Sequence, residues 1–249
     1  MEFSRREFLL ISALGLAGLN VIRAEALSQI PKRPLGNTGL DISILGFGNA
    51  LGYQKSFPAE SVRLFRSAIK NGINFFDIEP EEGMDEQFGR LSIEERKGII
   101  SSSKSFKRTA KELEKDVLLS LKRLRLKCLD ILFLHALDKP VDLEIVCGPG
   151  GAGEGLKHLR KNNIVRFFGA SGHKYDVLLA AAKRIPLDVV FCPVNLHCVD
   201  EFEDKYLPEF RRLGVGILAM KVFDGGKLLK SFFFRNFIGL SRMMRYVWD

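Results

Sequence analysis

The sequence predicts an α/β fold of the (β/α)-barrel type, and three observations carry that expectation. After a distinct N-terminal stretch, apolar runs of four to seven residues alternate with charged stretches of helical period. Alternation this regular implies a parallel sheet with crossover helices. Polar residues then follow six consecutive apolar runs: Asp77, Lys104, His135, Ser171, Asn195 and Lys221. An open doubly wound sheet would use only a few strand ends, at its switch-point crevice. A barrel aims all of them into one mouth, so the polar strand ends favour the barrel.

The strand candidates, in order, are 42–47, 73–76, 98–102, 128–134, 164–169, 187–191 and 215–220. The helix candidates are 59–70, 84–91, 109–126, 153–161, 175–183 and 201–213, with a last one at 237–247. The clearest is 109–126, where Leu113, Val117, Leu121 and Leu124 share one face opposite Lys111, Lys115 and Lys122. Gly148-Pro149-Gly150-Gly151-Ala152-Gly153 satisfies the dinucleotide pattern G-x-G-x-x-G literally. The preceding 141–147 contains Asp142 and Glu144 and makes a poor buried strand. It also follows another strand with no crossover helix between. The glycine run is therefore expected to be a flexible loop above the mouth.

The first residues stand apart from the fold. Ser4-Arg5-Arg6-Glu7-Phe8-Leu9-Leu10 precedes an apolar run over 11–22, and Ala24-Glu25-Ala26 supplies a small-residue cleavage pattern. The paired arginines followed by Phe-Leu resemble a twin-arginine signal, a bacterial export address read by its own machinery. The run is short of the roughly 20 apolar residues that a spanning helix needs. The expected organisation is a signal peptide over 1–26, cleaved after Ala26, and a barrel domain over 27–249. That places the mature protein in the periplasm.

With 38 Lys and Arg against 30 Asp and Glu, the 249-residue chain carries a net charge of +8. The apolar fraction of 46% is ordinary for a protein with a sizeable core. The basic run Lys107, Arg108, Lys111, Lys115, Lys122, Arg123, Arg125 and Lys127 reads as one amphipathic helix and its edges, so no nucleic-acid partner is expected. Cys128, Cys147, Cys192 and Cys198 match no disulfide scaffold. Cys192, His197 and Cys198 lie close in sequence, but Cys-x4-His-Cys is no standard zinc spacing, so no metal is expected.

The strand ends also carry a resemblance. Arg33-Pro34-Leu35-Gly36-Asn37-Thr38-Gly39-Leu40 resembles an opening hairpin, and Leu45-Gly46-Phe47-Gly48 a first barrel strand. To these are added Gly72-Ile73-Asn74-Phe75-Phe76-Asp77, Leu129-Asp130-Ile131-Leu132-Phe133-Leu134-His135 and Val165-Arg166-Phe167-Phe168-Gly169-Ala170-Ser171-Gly172-His173. In this order and spacing they are similar to the aldo-keto reductases, from Arg33 to about Trp248. The resemblance implies a TIM-barrel-type α/β fold, here with about seven strands, because the family's last strand and helix find no counterpart. It implies NADP(H) as cofactor, a small carbonyl or alcohol substrate, and Asp77, Lys104 and His135 as three of four catalytic residues. It assigns Gly48, Asp77, Ser171, Met220 and Lys221 to cofactor binding. An incomplete barrel edge would also favour self-association.

The fourth catalytic position departs from the family. Its tyrosine is expected five residues after Asp77, and that residue is Glu82. A phenol of pKa ~10 is protonated at neutral pH, whereas keeping a carboxyl of pKa ~4.3 protonated at pH 7 costs about 3.7 kcal/mol. Either burial raises Glu82, or it acts as a base, or His135 or Tyr53 replaces the acid. The usual Asn after Ser171 is Gly172, and the usual Gln of the sixth strand is Phe191. Two functions follow: an exported oxidoreductase with an altered proton donor, or an inactive barrel that binds a ligand or partner. The location is directly testable. Replacing Arg5 and Arg6 with lysine should hold the precursor in the cytoplasm, seen as loss of the cleaved form from the periplasmic fraction. Undiminished export of the double variant would remove the twin-arginine reading.

Overall fold

The computed structural model describes residues 30–48, 58–80, 83–197, 201–230 and 239–248. The expected leader, Tyr53, Glu82, Cys198 and the phenylalanine-rich 231–238 lie outside the described residues.

The fold starts with a floor. Strands β1 (Lys32–Pro34) and β2 (Asp41–Ser43) pair antiparallel, with Arg33 opposite Ile42. Thr38 ties the turn by donating from Oγ1 to the Leu35 carbonyl at 2.6 Å. Gly36 has φ +50°, and a Cβ there would stand 2.3 Å from the Gly216 nitrogen, so only glycine lets the hairpin press this close.

Above the floor run seven parallel strands in sequential order. They are β3 (Phe47–Gly48), β4 (Phe75–Ile78), β5 (Ile100–Ser105), β6 (Leu129–Leu134), β7 (Val165–Ser171), β8 (Val189–Pro193) and β9 (Gly216–Met220). The connections are helical: α1 (Pro58–Lys70), α2 (Met84–Phe88), α3 (Ala110–Leu124), α4 (Pro140–Cys147), α5 (Ala152–Lys161), α6 (Tyr175–Arg184) and α7 (Leu207–Arg212). A π-helical stretch, Phe202–Tyr206, leads into α7, and α8 (Lys227–Lys230) and α9 (Gly239–Trp248) complete the described chain. The predicted barrel-type α/β fold is the observed one. Among the described residues the sheet curls without closing: β9 pairs with β8 and β3 with β4. A groove of about 870 Å³ follows the outer side of β9, between the hairpin and α9.

Strand period splits the core in two. Phe75, Ile100, Ile131, Phe133, Val189, Phe191 and Leu218 point inward and meet Leu35, Leu40 and Ile42 of the floor. Their neighbours Phe76, Ile78, Leu132, Leu134, Phe168 and Val190 point outward and meet the helices. The outer layer is densest around Phe47, Phe65, Phe76 and Phe88, whose ring centroids lie 5.3 to 6.0 Å apart. Helix α3 turns Leu113, Val117, Leu121 and Leu124 into this layer. It ends at Arg125 in the left-handed conformation, and Arg96 donates to the carbonyls of Leu124 and Arg125, satisfying groups that no helical turn follows.

Residues 141–147, a poor strand by sequence, form a helix: Pro140 opens it, where its missing N–H costs nothing, and Leu143 and Val146 bury themselves at i,i+3 spacing. The glycine run then joins two helices. Its N–H groups are engaged: Gly148 donates to Glu144 O, Gly150 to the Glu154 carboxylate, Gly151 to Gly148 O and Ala152 to Arg108 O. With these donors turned inward the run is no phosphate cradle. Gly155 lets α5 close on α3, since a Cβ there would lie 2.9 Å from Ala110 Cα.

The two faces of α3 predict a stability contrast. Leu113 is fully buried, and Leu113→Ala should cost about 2–5 kcal/mol in urea unfolding. Leu119 is 46% exposed, and Leu119→Ala should stay within about 0.5 kcal/mol. Equal losses would mean that α3 is rotated from the face described.

Candidate active site

The strand period that buries Phe75 and Ile100 also sets which polar groups face the mouth. Asp77, Lys104, His135, Ser171 and Met220 all fall on the inward register at the C-terminal ends of β4 to β9. The structure thus brings these five together, while Glu82 lies outside the described residues, and it adds Glu79 and Arg108, which sequence reasoning missed.

Lys104 is the centre. Its Nζ donates to Asp77 Oδ2 at 2.7 Å and to Glu79 Oε2 at 3.0 Å. The three side chains are only 10%, 8% and 14% exposed. Asp77 is held from the other side by Ser102 Oγ, which donates to Oδ1 at 3.1 Å. The ammonium also lies 5.1 Å from the centroid of the Phe191 ring, a cation–π contact where a glutamine was expected. Burial pulls the Lys104 pKa down most, but the Asp77 and Glu79 charges and their hydrogen bonds together outweigh it. The net shift is upward and the amine stays charged.

His135 stands beside this ion pair. Its Nε2 lies 3.9 Å from Glu79 Oε2, and its Nδ1 shares a hydrogen bond of 2.8 Å with Ser171 Oγ. Phe106 meets the ring edge-on at 4.4 Å between centroids. Ala136, which follows, is left-handed with φ +50°. Arg108 stabilises that turn by donating to the carbonyls of His135 at 2.6 Å and Ala136 at 3.2 Å. In the sequence Arg108 looked like one more surface cation, and nothing in the sequence marks it as a support for His135. Burial, followed by the charges of Lys104 and Arg108, lowers the His135 pKa to about 4. The imidazole is therefore neutral at pH 7.

Glu79 was legible in principle. It lies two residues past Asp77, and strand period puts both on one face. On the far side of the mouth, Lys221 Nζ meets His173 Nε2 at 2.8 Å, and His173 Nδ1 meets Asp138 Oδ2 at 3.0 Å. Lys221 is left-handed, φ +53°, and the buried Asn195 fixes that turn by donating to its carbonyl. Among the described residues no group of three or more His, Cys, Asp or Glu is arranged to hold a metal. Cys128 and Cys147 are free thiols.

The comparisons with known proteins agree with this geometry. The model of the aldo/keto reductase family matches residues 44–235, well over half of the chain. The chain belongs to the aldo-keto reductase family. It is 29% identical over 223 residues to an L-galactose dehydrogenase of Arabidopsis thaliana, covering 82% of this chain and 69% of that protein. It is also similar to an aldo-keto reductase structure from Pseudomonas aeruginosa, at 25% identity and TM-score 0.66, covering 77% of this chain and 78% of that one. A Bombyx mori aldo-keto reductase in complex with NADP shares the fold at 20% identity and TM-score 0.60, covering 78% of this chain and 67% of its own.

The family uses nicotinamide cofactors, and most of the mouth fits such a group. Gly48, paired in register with Asp77 at the mouth, adds no side chain beside its carboxylate, and a Cβ there would stand 3.8 Å from Asp77 Oδ2. Met220 and Phe191 offer apolar surface, and Lys221 an exposed cation. The carboxamide contacts differ from the family pattern. The Ser171 hydroxyl is engaged by His135, and an asparagine at Gly172 would have to displace the Asp138 carboxylate, since a Cβ there would fall 2.7 Å from Asp138 Oδ1.

The neutral imidazole gives a pH test. The native His135 binds its proton only near pH 4, whereas an unfolded histidine binds one near ~6.5. The unfolded chain therefore holds more protons between these values, and acid draws stability away from the native state as pH falls from about 6.5 to 4. In a proton NMR titration the His135 ring should show a midpoint near 4, and His135→Gln should lessen the loss of stability across that window. A His135 midpoint at 6.5 would contradict the buried, cation-flanked ring.

Proposed function

We propose that this chain is an NADP(H)-dependent oxidoreductase that interconverts a small carbonyl compound and its alcohol. The observation that carries this reading is the convergence of Asp77, Lys104 and His135 on the inward register at one end of the barrel, in a chain of this family. The name of the Arabidopsis relative, L-galactose dehydrogenase, points to hydroxylated substrates of sugar size and to the oxidative direction. The NADP complex of the Bombyx mori structure and the exposed Lys221 at the mouth support a phosphorylated nicotinamide dinucleotide.

The residues divide the work by charge. A bound nicotinamide would supply or take up a hydride. Lys104, fixed by two carboxylates, holds positive charge beside the reacting oxygen, where charge develops in the transition state. The neutral His135 is set to donate or accept one hydrogen bond, with its orientation fixed by Ser171. Asp77 keeps the ammonium in place from below. Glu82 stands where the family has its phenolic acid, so reduction does not draw its proton from a tyrosine at that position. Export through the twin-arginine machinery, with cleavage after Ala26, belongs to the same reading, because that route delivers folded protein with its nucleotide already bound.

Nucleotide binding decides between this function and an inactive barrel. The purified mature chain should bind NADPH with Kd tighter than about 10 μM, roughly −7 kcal/mol, measured by quenching of its fluorescence or by calorimetry. Absence of binding at millimolar NADPH would leave a ligand- or partner-binding barrel as the better description.

A further inference from the structure

Glu79 stands between the two groups that define the site. Its Oε2 is 3.0 Å from Lys104 Nζ and 3.9 Å from His135 Nε2. The longer separation is beyond a direct hydrogen bond, but it is what two groups sharing one oxygen atom would show. An oxygen at ~2.7–2.8 Å from each would see them at about 90°, within the range a hydroxyl accepts. The carboxylate is only 14% exposed and the imidazole 25%, so an oxygen placed there is largely shielded from bulk water. The ring is neutral and suited to donating from Nε2, with the Ser171 hydroxyl on Nδ1. Glu79 meets Lys104 as an ion-pair partner, and so enters the site as a proton acceptor.

Building on the oxidoreductase reading above, we propose that Glu79 is a catalytic carboxylate of this site, acting as general base when a substrate alcohol is oxidised. The substrate hydroxyl donates to Glu79 and accepts from His135. Its O–H bond breaks with the proton passing to the Glu79 carboxylate. The carbinol C–H bond breaks with its electron pair passing to an oxidised nicotinamide dinucleotide, and the carbon–oxygen double bond forms. In the reverse direction the Glu79 carboxyl returns the proton to the carbonyl oxygen. Lys104 serves both directions by holding Glu79 in place.

The test uses the mature chain, with NADP⁺ and L-galactose as the probe alcohol. Glu79→Gln should lower the rate of oxidation at least 100-fold, and Glu79→Asp should recover a tenth or more of it. Both variants should bind NADPH within threefold of the unsubstituted chain and remain folded by circular dichroism, with Glu79→Gln melting earlier because Lys104 loses one of its two carboxylates. A second readout does not depend on turnover. In protein with ¹³C in its glutamate carboxyls, the resonance missing from Glu79→Gln should move when L-galactose is added. An unchanged rate in Glu79→Gln, or a Glu79 resonance indifferent to L-galactose, overturns the proposal while leaving nucleotide binding as it was. Failure of the unsubstituted chain to bind NADPH would instead overturn the oxidoreductase reading on which it rests.

Discussion

Lys104 brings a charge to a place where only a tenth of its side chain meets water, and its surroundings have to answer it. Burying an ammonium alone costs several kcal/mol, so partners must be present and must stay present. Asp77 and Glu79 supply them from the end of β4, and Ser102 and Phe191 complete the enclosure from β5 and β8. Removing one carboxylate would leave the cation half-paired. Removing the cation would leave two carboxylates facing each other at short range. The mouth thus holds a rigid set of charges whose geometry is fixed before any ligand arrives, as electrostatic stabilisation of a reacting oxygen requires.

That set can exist because strand period separates two jobs. Outward residues such as Phe76, Leu132 and Phe168 fasten helices to the sheet, and inward residues fill the barrel from the hairpin floor to the mouth. Along β4 and one residue past its end the inward sequence is Phe75, Asp77, then Glu79, so apolar filling gives way to charge within two steps. The same happens on β5, from Ile100 through Ser102 to Lys104, and from Phe133 to His135 beyond β6. A one-residue slip in any of these strands would exchange the filling for the fastening and send the charges into the helix layer.

Much of this was legible in the sequence. Most strands were visible as short apolar runs, but the run over 42–47 divides between β2 and β3, and β5 continues past its apolar start through serines to Ser105. Helix α3 was visible because its leucines recur at helical spacing. Lys104 and His135 were found by their position immediately after such runs. Glu79 was not, because the family pattern marks only the position five residues past Asp77, whereas Glu79 is placed by the alternation that carries Asp77 itself inward. The helix α4 was missed because eight residues with one buried pair leave too little periodicity to register, and Asp142 and Glu144 argued only against a strand. Arg108 was unreadable for another reason: its role depends on the left-handed turn at Ala136, which no local pattern announces.

The pairing of two acids with one base has a consequence for what can approach. With His135 neutral, Asp77 and Glu79 against Lys104 leave the reacting corner one unit negative, inside a chain whose net charge is +8. The overall field draws anions toward the molecule, as a dinucleotide phosphate would require. At the corner itself two carboxylates face one ammonium, while Arg108 and Lys104 keep the field at His135 positive. A sugar or other uncharged polyol meets hydrogen-bonding groups there, whereas a keto acid or a hydroxy acid would press its own carboxylate against two others. On the function proposed above, charge would act at two ranges: the overall field favours a phosphorylated cofactor from afar, and the paired carboxylates favour an uncharged substrate at contact.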